Sequence, residues 1–318
     1  MPLLEVDNLN VSIGAAHELR GVRFSVEPGE TLGGVGESGC GKSMTGMALM
    51  GMLPPTARII DGSITLEGRN LTNLREKEWT DIRGQDIAMV MQDPFTSLNP
   101  MMRIGDQIAE VYRLHKGLGK AEAWKLAVEM ISKVGVPDPS ESAHKFPHQL
   151  SGGQRQRIVI GIAFAARPKV LIADEPTTAL DVTLQAQILH LLRDMQEQAG
   201  TAVILISHDI GVIASMSHRI AVYYAGRVVE TGTAEQVLRS PRHPYTEALL
   251  DALPRVGVDR LRVIGGQPPA LDRLPEGCAF APRCPKRFDK CVEDPSLFCD
   301  EDGHGAACWL SQGVVSES

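Results

Sequence analysis

Residues 36 to 43 read Gly36-Glu37-Ser38-Gly39-Cys40-Gly41-Lys42-Ser43, the pattern G-x-x-x-x-G-K-[ST]. Glycines at this spacing let successive backbone N–H groups turn toward one point and cradle an anion. A helix opening at Lys42 adds the positive end of its dipole. In such a loop Lys42 reaches the β- and γ-phosphates of a nucleotide and the Ser43 hydroxyl ligates Mg2+. Cys40 lies in the same loop, and both Lys42 and the helix start are expected to lower its thiol pKa. A second centre is Val170-Leu171-Ile172-Ala173-Asp174-Glu175, an apolar run ending in two carboxylates. Adjacent residues at a strand end point different ways, so one acid can face a metal while the other faces an attacking water. Asp174 is assigned to the metal and Glu175 to the water. The third is Leu150-Ser151-Gly152-Gly153-Gln154, ahead of a helix running to Ala165. Its N-terminus offers N–H groups and a hydroxyl to an anion. One chain has one nucleotide at its own phosphate loop. A second phosphate-binding helix end makes sense if it serves a nucleotide held by another chain, in a head-to-tail dimer with ATP at the interface.

These groups need a scaffold, and the hydrophobic pattern supplies one. Strand-like runs cover Leu3–Val11, Val22–Val26, Thr31–Val35, Ser63–Leu66 and Ile87–Met91, and a helical run covers Met44–Leu53. Residues 104 to 134 read helical, with apolar positions at Ile108, Val111, Leu114, Ala127, Met130, Ile131 and Val134. Three more apolar runs, Val170–Ala173, Ala202–Ile206 and Ile220–Tyr224, have the helical stretch Leu184–Gln198 among them. Strands alternating with helices imply a parallel sheet covered on both faces. The helical stretch between the Ile87 and Val170 strands reads as an inserted subdomain.

The chain has 318 residues, room for one large core plus an appendage, and a formal charge of −7. That charge argues against a nucleic-acid partner, which favours a basic face. The start, Met1-Pro2-Leu3-Leu4-Glu5-Val6-Asp7, lacks the basic leader and apolar core of a signal peptide. The longest apolar stretch, Ile158–Ala166, is far short of the roughly 18 residues a membrane span needs. A soluble, cytosolic chain is expected, reaching membrane only through a partner. After Leu253 the composition shifts: seven of 20 prolines and five of 6 cysteines follow it. So proline-rich a segment has too little apolar material to fold on packing alone and needs a staple. In a reducing compartment Cys278, Cys284, Cys291, Cys299 and Cys308 read as metal ligands before disulfides.

Taken together, the phosphate loop, Leu150–Gln154 and Asp174-Glu175 resemble the ATP-binding subunit of ABC transporters. The resemblance implies an α/β fold: a P-loop NTPase (RecA-like) parallel-sheet core, an antiparallel β subdomain, an inserted helical subdomain over about residues 93–165, and a small cysteine-rich C-terminal extension. It divides the chain into an ATP-binding domain, residues 1–253, and the extension, residues 254–318. It implies that Ser151, Gly152, Gly153 and Gln154 contact the γ-phosphate of the opposing subunit's ATP. Gln92 matches the Q-loop glutamine, which touches Mg2+ or water and links to the helical subdomain. Ala179-Leu180-Asp181 matches the D-loop, which crosses the dimer interface, and His208 the switch histidine that senses the γ-phosphate. Glu175, His208 and Gln92 are thus the expected catalytic set, and Ser43, Gln92 and Asp174 the expected Mg2+ ligands. The family usually stacks an aromatic on adenine. Here Ile13 stands near that place, which implies an edge-on aliphatic contact and weaker selectivity for the base.

Within that family the chain is similar to dipeptide/oligopeptide importers over nearly its whole length. The segments Gln92–Pro100, Glu175–Val182, His243-Pro244-Tyr245-Thr246 and Gly277–Pro285 carry the similarity. It implies a five-part machine: this chain as the first of two different ATPase types in a heterodimer, two membrane permeases, and an extracytoplasmic peptide-binding protein. The ATPases sit peripherally on the cytoplasmic face of the membrane. It also makes Cys278, Cys284, Cys291 and Cys308 a metal-site frame, with Cys299 spare. Four thiolates suit either a [4Fe–4S] cluster or zinc. An importer ATPase for nickel or another small solute, and a soluble ABC-type ATPase acting in DNA repair or translation, are the competing expectations.

Overall fold

A computed structural model describes residues 1–178, 180–253 and 264–312. Ala179 of the expected D-loop and the start of the expected extension, 254–263, lie outside the described residues. The strands are β1 (Leu4–Ile13), β2 (Ala16–Val26), β3 (Thr31–Val35), β4 (Ala57–Leu66), β5 (Arg69–Asn70), β6 (Ile87–Val90), β7 (Val170–Asp174), β8 (Ala202–Ser207), β9 (Arg219–Tyr224), β10 (Arg227–Thr233), β11 (Phe298–Cys299) and β12 (Gly305–Ala306). The fold is mixed α/β, with parallel and antiparallel strand pairing, and it divides into two compact units.

The first unit comprises residues 1–26, 31–72 and those from 205 onward. Its antiparallel sheet runs β2-β1-β4-β5. β1 alternates, with Leu4, Val6, Leu9 and Val11 buried and Glu5 and Asp7 exposed. Two polar residues separate Val6 from Leu9, one more than alternation allows. The ladder shifts register there, and Asn8 takes a left-handed backbone (φ 48°) that absorbs the extra residue. The unit's other sheet places β10, β9 and β3 side by side, with β9 parallel to β3 and antiparallel to β10. Every residue of β3 is buried. Its Gly33 is forced by packing, since a Cβ there would lie 2.3 Å from the Ser217 hydroxyl, just past the helix Ile210–Met216.

The second unit comprises residues 27–30 and 73–204. β6 runs parallel to β7, Ile87 opposite Val170. The expected helical run 104–134 is two helices, Ile104–Lys116 and Lys120–Lys133, which pack together. Gly117, left-handed at φ 66°, ends the first. The helices Gly152–Ala165 and Val182–Ala199 complete the unit's main elements. Among the described residues no helix is long and apolar enough to cross a membrane.

The expected helix Met44–Leu53 instead spans Lys42–Leu49, because Gly51 (φ 59°) and the prolines beyond it end the run. β4 begins six residues earlier than the strand read from sequence. The staple after Leu253 is partly visible too. β12 adds to the edge of β10 and β11 pairs with β12. Glu230 of β10, fully buried, accepts from the backbone N–H of Arg242 and His243 and lies 2.8 Å from His304 Nε2. A buried carboxylate is tolerated when hydrogen bonds satisfy it in this way.

Candidate nucleotide site and thiol pocket

The phosphate loop sits between β3 and the helix Lys42–Leu49, in the strand–loop–helix setting its motif requires. Gly36 (φ 154°) and Gly41 (φ 103°) both have backbones that L-residues avoid. A Cβ on Gly36 would lie 2.2 Å from the Tyr223 carbonyl, and one on Gly41 2.8 Å from Leu19. Ser38 and Gly39 form the loop's outer turn, and Ser43 follows Lys42 in the helix. The Lys42 ammonium donates to the carbonyls of Gly36 (2.7 Å) and Glu37 (3.0 Å) and approaches Cys40 Sγ at 3.4 Å. Ile13 ends β1 opposite Ala16 and Ala57, in the same unit.

The expectation for Cys40 is corrected. Lys42 does pull its thiol pKa down, but burial outweighs that pull and the thiol lies above its ordinary value. Cys40 is 5% exposed, and the low-dielectric surroundings disfavour a thiolate more than one nearby ammonium favours it.

In the second unit Asp174 ends β7 and is 7% exposed, and Glu175 follows at φ 48°. Glu175 thus leaves the strand in a left-handed backbone conformation. Gln92 Nε2 donates to Glu175 Oε2 at 2.9 Å, and Thr178 Oγ1 donates to the same oxygen at 2.8 Å. Gln92 and Glu175, 83 residues apart, thus meet. Ser151 caps the helix Gly152–Ala165: its hydroxyl accepts from Gln154 N–H at 3.3 Å, and the Gln154 side chain reaches back to Ser151 N–H at 3.0 Å. Gly153 is needed there because a Cβ would lie 2.6 Å from Leu184. Asp181 caps the helix Val182–Ala199 by accepting from Leu184 N–H at 2.9 Å. In the first unit His208 follows β8 directly.

Two family models match the chain: "ABC transporter" over residues 19–178, and "Oligopeptide/dipeptide transporter, C-terminal region" over residues 229–291. The chain belongs to the ABC transporter family of ATP-binding proteins. It is an ABC-type ATPase. The dipeptide transport ATP-binding protein DppD of Bacillus subtilis is 48% identical over 316 residues, which is 97% of this chain and 94% of that protein. The oligopeptide transport ATP-binding protein OppD of Salmonella typhimurium is 47% identical over 313 residues, 96% and 93% of the two chains. Among solved structures, the ATP-binding cassette MJ0796, in a dimeric post-hydrolysis state bound to ADP and phosphate, superposes with a TM-score of 0.65. It is 26% identical and covers 73% of this chain and 98% of its own.

In this ABC ATPase Cys278, Cys284, Cys291 and Cys308 line one small pocket together with Phe280 and Trp309, and Cys299 does not. Burial pushes the Cys278 thiol up to about 11, with Cys291 and Cys308 adding to the effect. Burial likewise raises Cys284 and Cys308. Among the described residues no three Cys, His, Asp or Glu side chains are grouped closely enough to hold a metal ion.

Two residues at the phosphate loop escaped the sequence reading. Tyr245, fully buried, accepts from Glu37 N–H at 2.9 Å. Arg283 forms a two-pronged ion pair with the Glu37 carboxylate at 2.7 and 2.9 Å. Both lie in segments that carry the family likeness, but nothing local marks their target, 208 and 246 residues away.

Proposed function

We propose that this ABC ATPase powers uptake of di- or oligopeptides across the cytoplasmic membrane. Identity of 47–48% along nearly the whole chain to proteins named for dipeptide and oligopeptide transport carries the proposal. The chain would act from the cytoplasmic face, peripherally, in a heterodimer with a second ATPase, beneath two permeases fed by an extracytoplasmic peptide-binding protein. Residues 1–253 would form the ATP-binding domain, with a helical subdomain over about 93–165, and 254–318 the extension.

Each site residue then has a task. The loop Gly36–Ser43 holds the triphosphate, with Lys42 on its outer phosphates and Ile13 against the base. Ser151, Gly152, Gly153 and Gln154 bind the γ-phosphate of the partner's ATP, and Asp181 lies at the shared interface. Ser43, Gln92 and Asp174 offer hydroxyl, amide and carboxylate oxygens, the hard donors Mg2+ takes. Held there, Mg2+ supplies charge neutralisation on the phosphates. Glu175 takes a proton from the attacking water, and His208 senses the γ-phosphate. The observed Gln92–Glu175 hydrogen bond supports this role, because it fixes the carboxylate and ties it to the segment leading into the helical subdomain.

The thiol pocket would hold a [4Fe–4S] cluster in preference to zinc. Four cysteines lining one small pocket with aromatic walls support a group held by thiolates there. Anaerobically purified protein should contain iron and absorb in the visible range, whereas zinc alone, or no metal, rejects the cluster.

Reconstituted with its permeases and binding protein, the chain should drive ATP-dependent uptake of labelled di- to pentapeptides, and Lys42→Ala should abolish it. Uptake of nickel but of no peptide would overturn the proposal.

A further inference from the structure

The cysteine-rich segment reaches into the phosphate loop. Arg283 closes the short turn Ala281–Arg283, between Cys278 and Cys284, and its side chain is 4% exposed. Its Nε donates to the Gly265 carbonyl at 2.8 Å, and its guanidinium lies 5.8 Å from the Tyr224 ring and 5.9 Å from the Phe280 ring. Those rings pack with Tyr245, at centroid separations of 4.6 to 5.4 Å. The guanidinium is thus pinned before it meets Glu37.

Glu37 is held at three points. Its N–H donates to Tyr245, its carboxylate pairs with Arg283, and its carbonyl accepts from Lys42. The first two fix the backbone whose carbonyl places the Lys42 ammonium. Glu37 is also an acid, only 26% exposed at its side chain, inside a loop that must receive a polyanion. Unpaired, it would repel phosphate through a poorly screened medium. A planar two-pronged guanidinium suits this task better than an ammonium, because it fixes direction as well as charge.

We propose that Arg283 is a positioning residue for nucleotide binding, through which the cysteine-rich extension sets the affinity of the phosphate loop. This rests on residues 36–43 being the ATP site. Arg283 touches no substrate; it acts through Glu37. The extension is therefore a working part of the ATPase, and conditions that undock it should weaken ATP binding.

The test is MgATP affinity of the full chain, with KM and kcat measured beside it. Arg283→Ala should weaken binding roughly tenfold and raise KM, with kcat at saturating ATP largely kept. Arg283→Lys, which retains charge but not the fork, should lie between, and it serves if the alanine variant fails to fold. The double variant Arg283→Ala/Glu37→Gln should recover much of the lost affinity, because the unpaired carboxylate is gone. A purely structural Arg283 would lower the active fraction without moving KM and would show no such recovery. Lys42→Ala separates the two levels. If it abolishes binding while Arg283→Ala and Arg283→Lys bind within twofold of the parent, the positioning role is overturned and the ATP site stands. If Lys42→Ala binds like the parent, the ATP site and the positioning role both fall.

Discussion

Gly36 shows how tightly the phosphate loop is specified. Its left-handed backbone and the Tyr223 carbonyl 2.2 Å from any added Cβ leave no room for a side chain. Gly36→Ala should cost about 1–3 kcal/mol of stability by denaturant titration, from strain of this kind, and should weaken ATP binding. The G-x-x-x-x-G-K-[ST] pattern made this position legible, because glycine spacing reports backbone need directly. Cys40 was misread for the opposite reason. Its sequence neighbours, Lys42 and a helix start, favour a thiolate, but burial is set by the fold and prevails. Iodoacetamide at neutral pH should therefore label exposed Cys299 well before Cys40, as peptide mass spectrometry would resolve. Faster labelling of Cys40 would show that the loop opens enough to free the thiol.

The phosphate-loop strand β3, the carboxylate strand β7 and the helix behind Leu150–Gln154 could all be placed from apolar runs and capping residues. The docking of the C-terminal segment could not. β12 is two residues long, and its pairing with β10 joins Thr231 to Gly305 across 74 positions of chain. No periodicity survives in so short a strand. The pairing is secured by His304 on Glu230, and by Arg242, which donates to the His304 carbonyl at 2.7 Å and pairs with Asp300 at 2.5 Å. Removing one partner of a buried pair exposes the other to an uncompensated environment. His304→Ala should thus cost about 2–4 kcal/mol by urea denaturation, somewhat under the usual cost because two backbone N–H groups still serve Glu230. His304→Gln, which keeps a donor, should cost less. Equal stability of His304→Ala and the parent would mean that this pair does not hold the segment down.

For the molecule as a whole, the sequence located almost every group proposed to handle ATP, since each lies at a strand end or helix start that its own motif announces. What it could not reveal was the return of a proline-rich tail to the first phosphate-binding turn, because Arg283 and Glu37 carry no shared local signal. The proposed cycle requires two chains, since it assigns the capped helix at Ser151 to a nucleotide other than the chain's own. Glu175→Gln tests the cycle most directly. With the carboxylate proposed to activate water replaced, the variant should bind MgATP, hydrolyse it about 10²- to 10⁴-fold more slowly, and accumulate as a nucleotide-bound dimer with the proposed second ATPase in size-exclusion chromatography with light scattering. Hydrolysis at the parental rate, with no dimer retained, would contradict both the role of Glu175 and the two-chain cycle built on it.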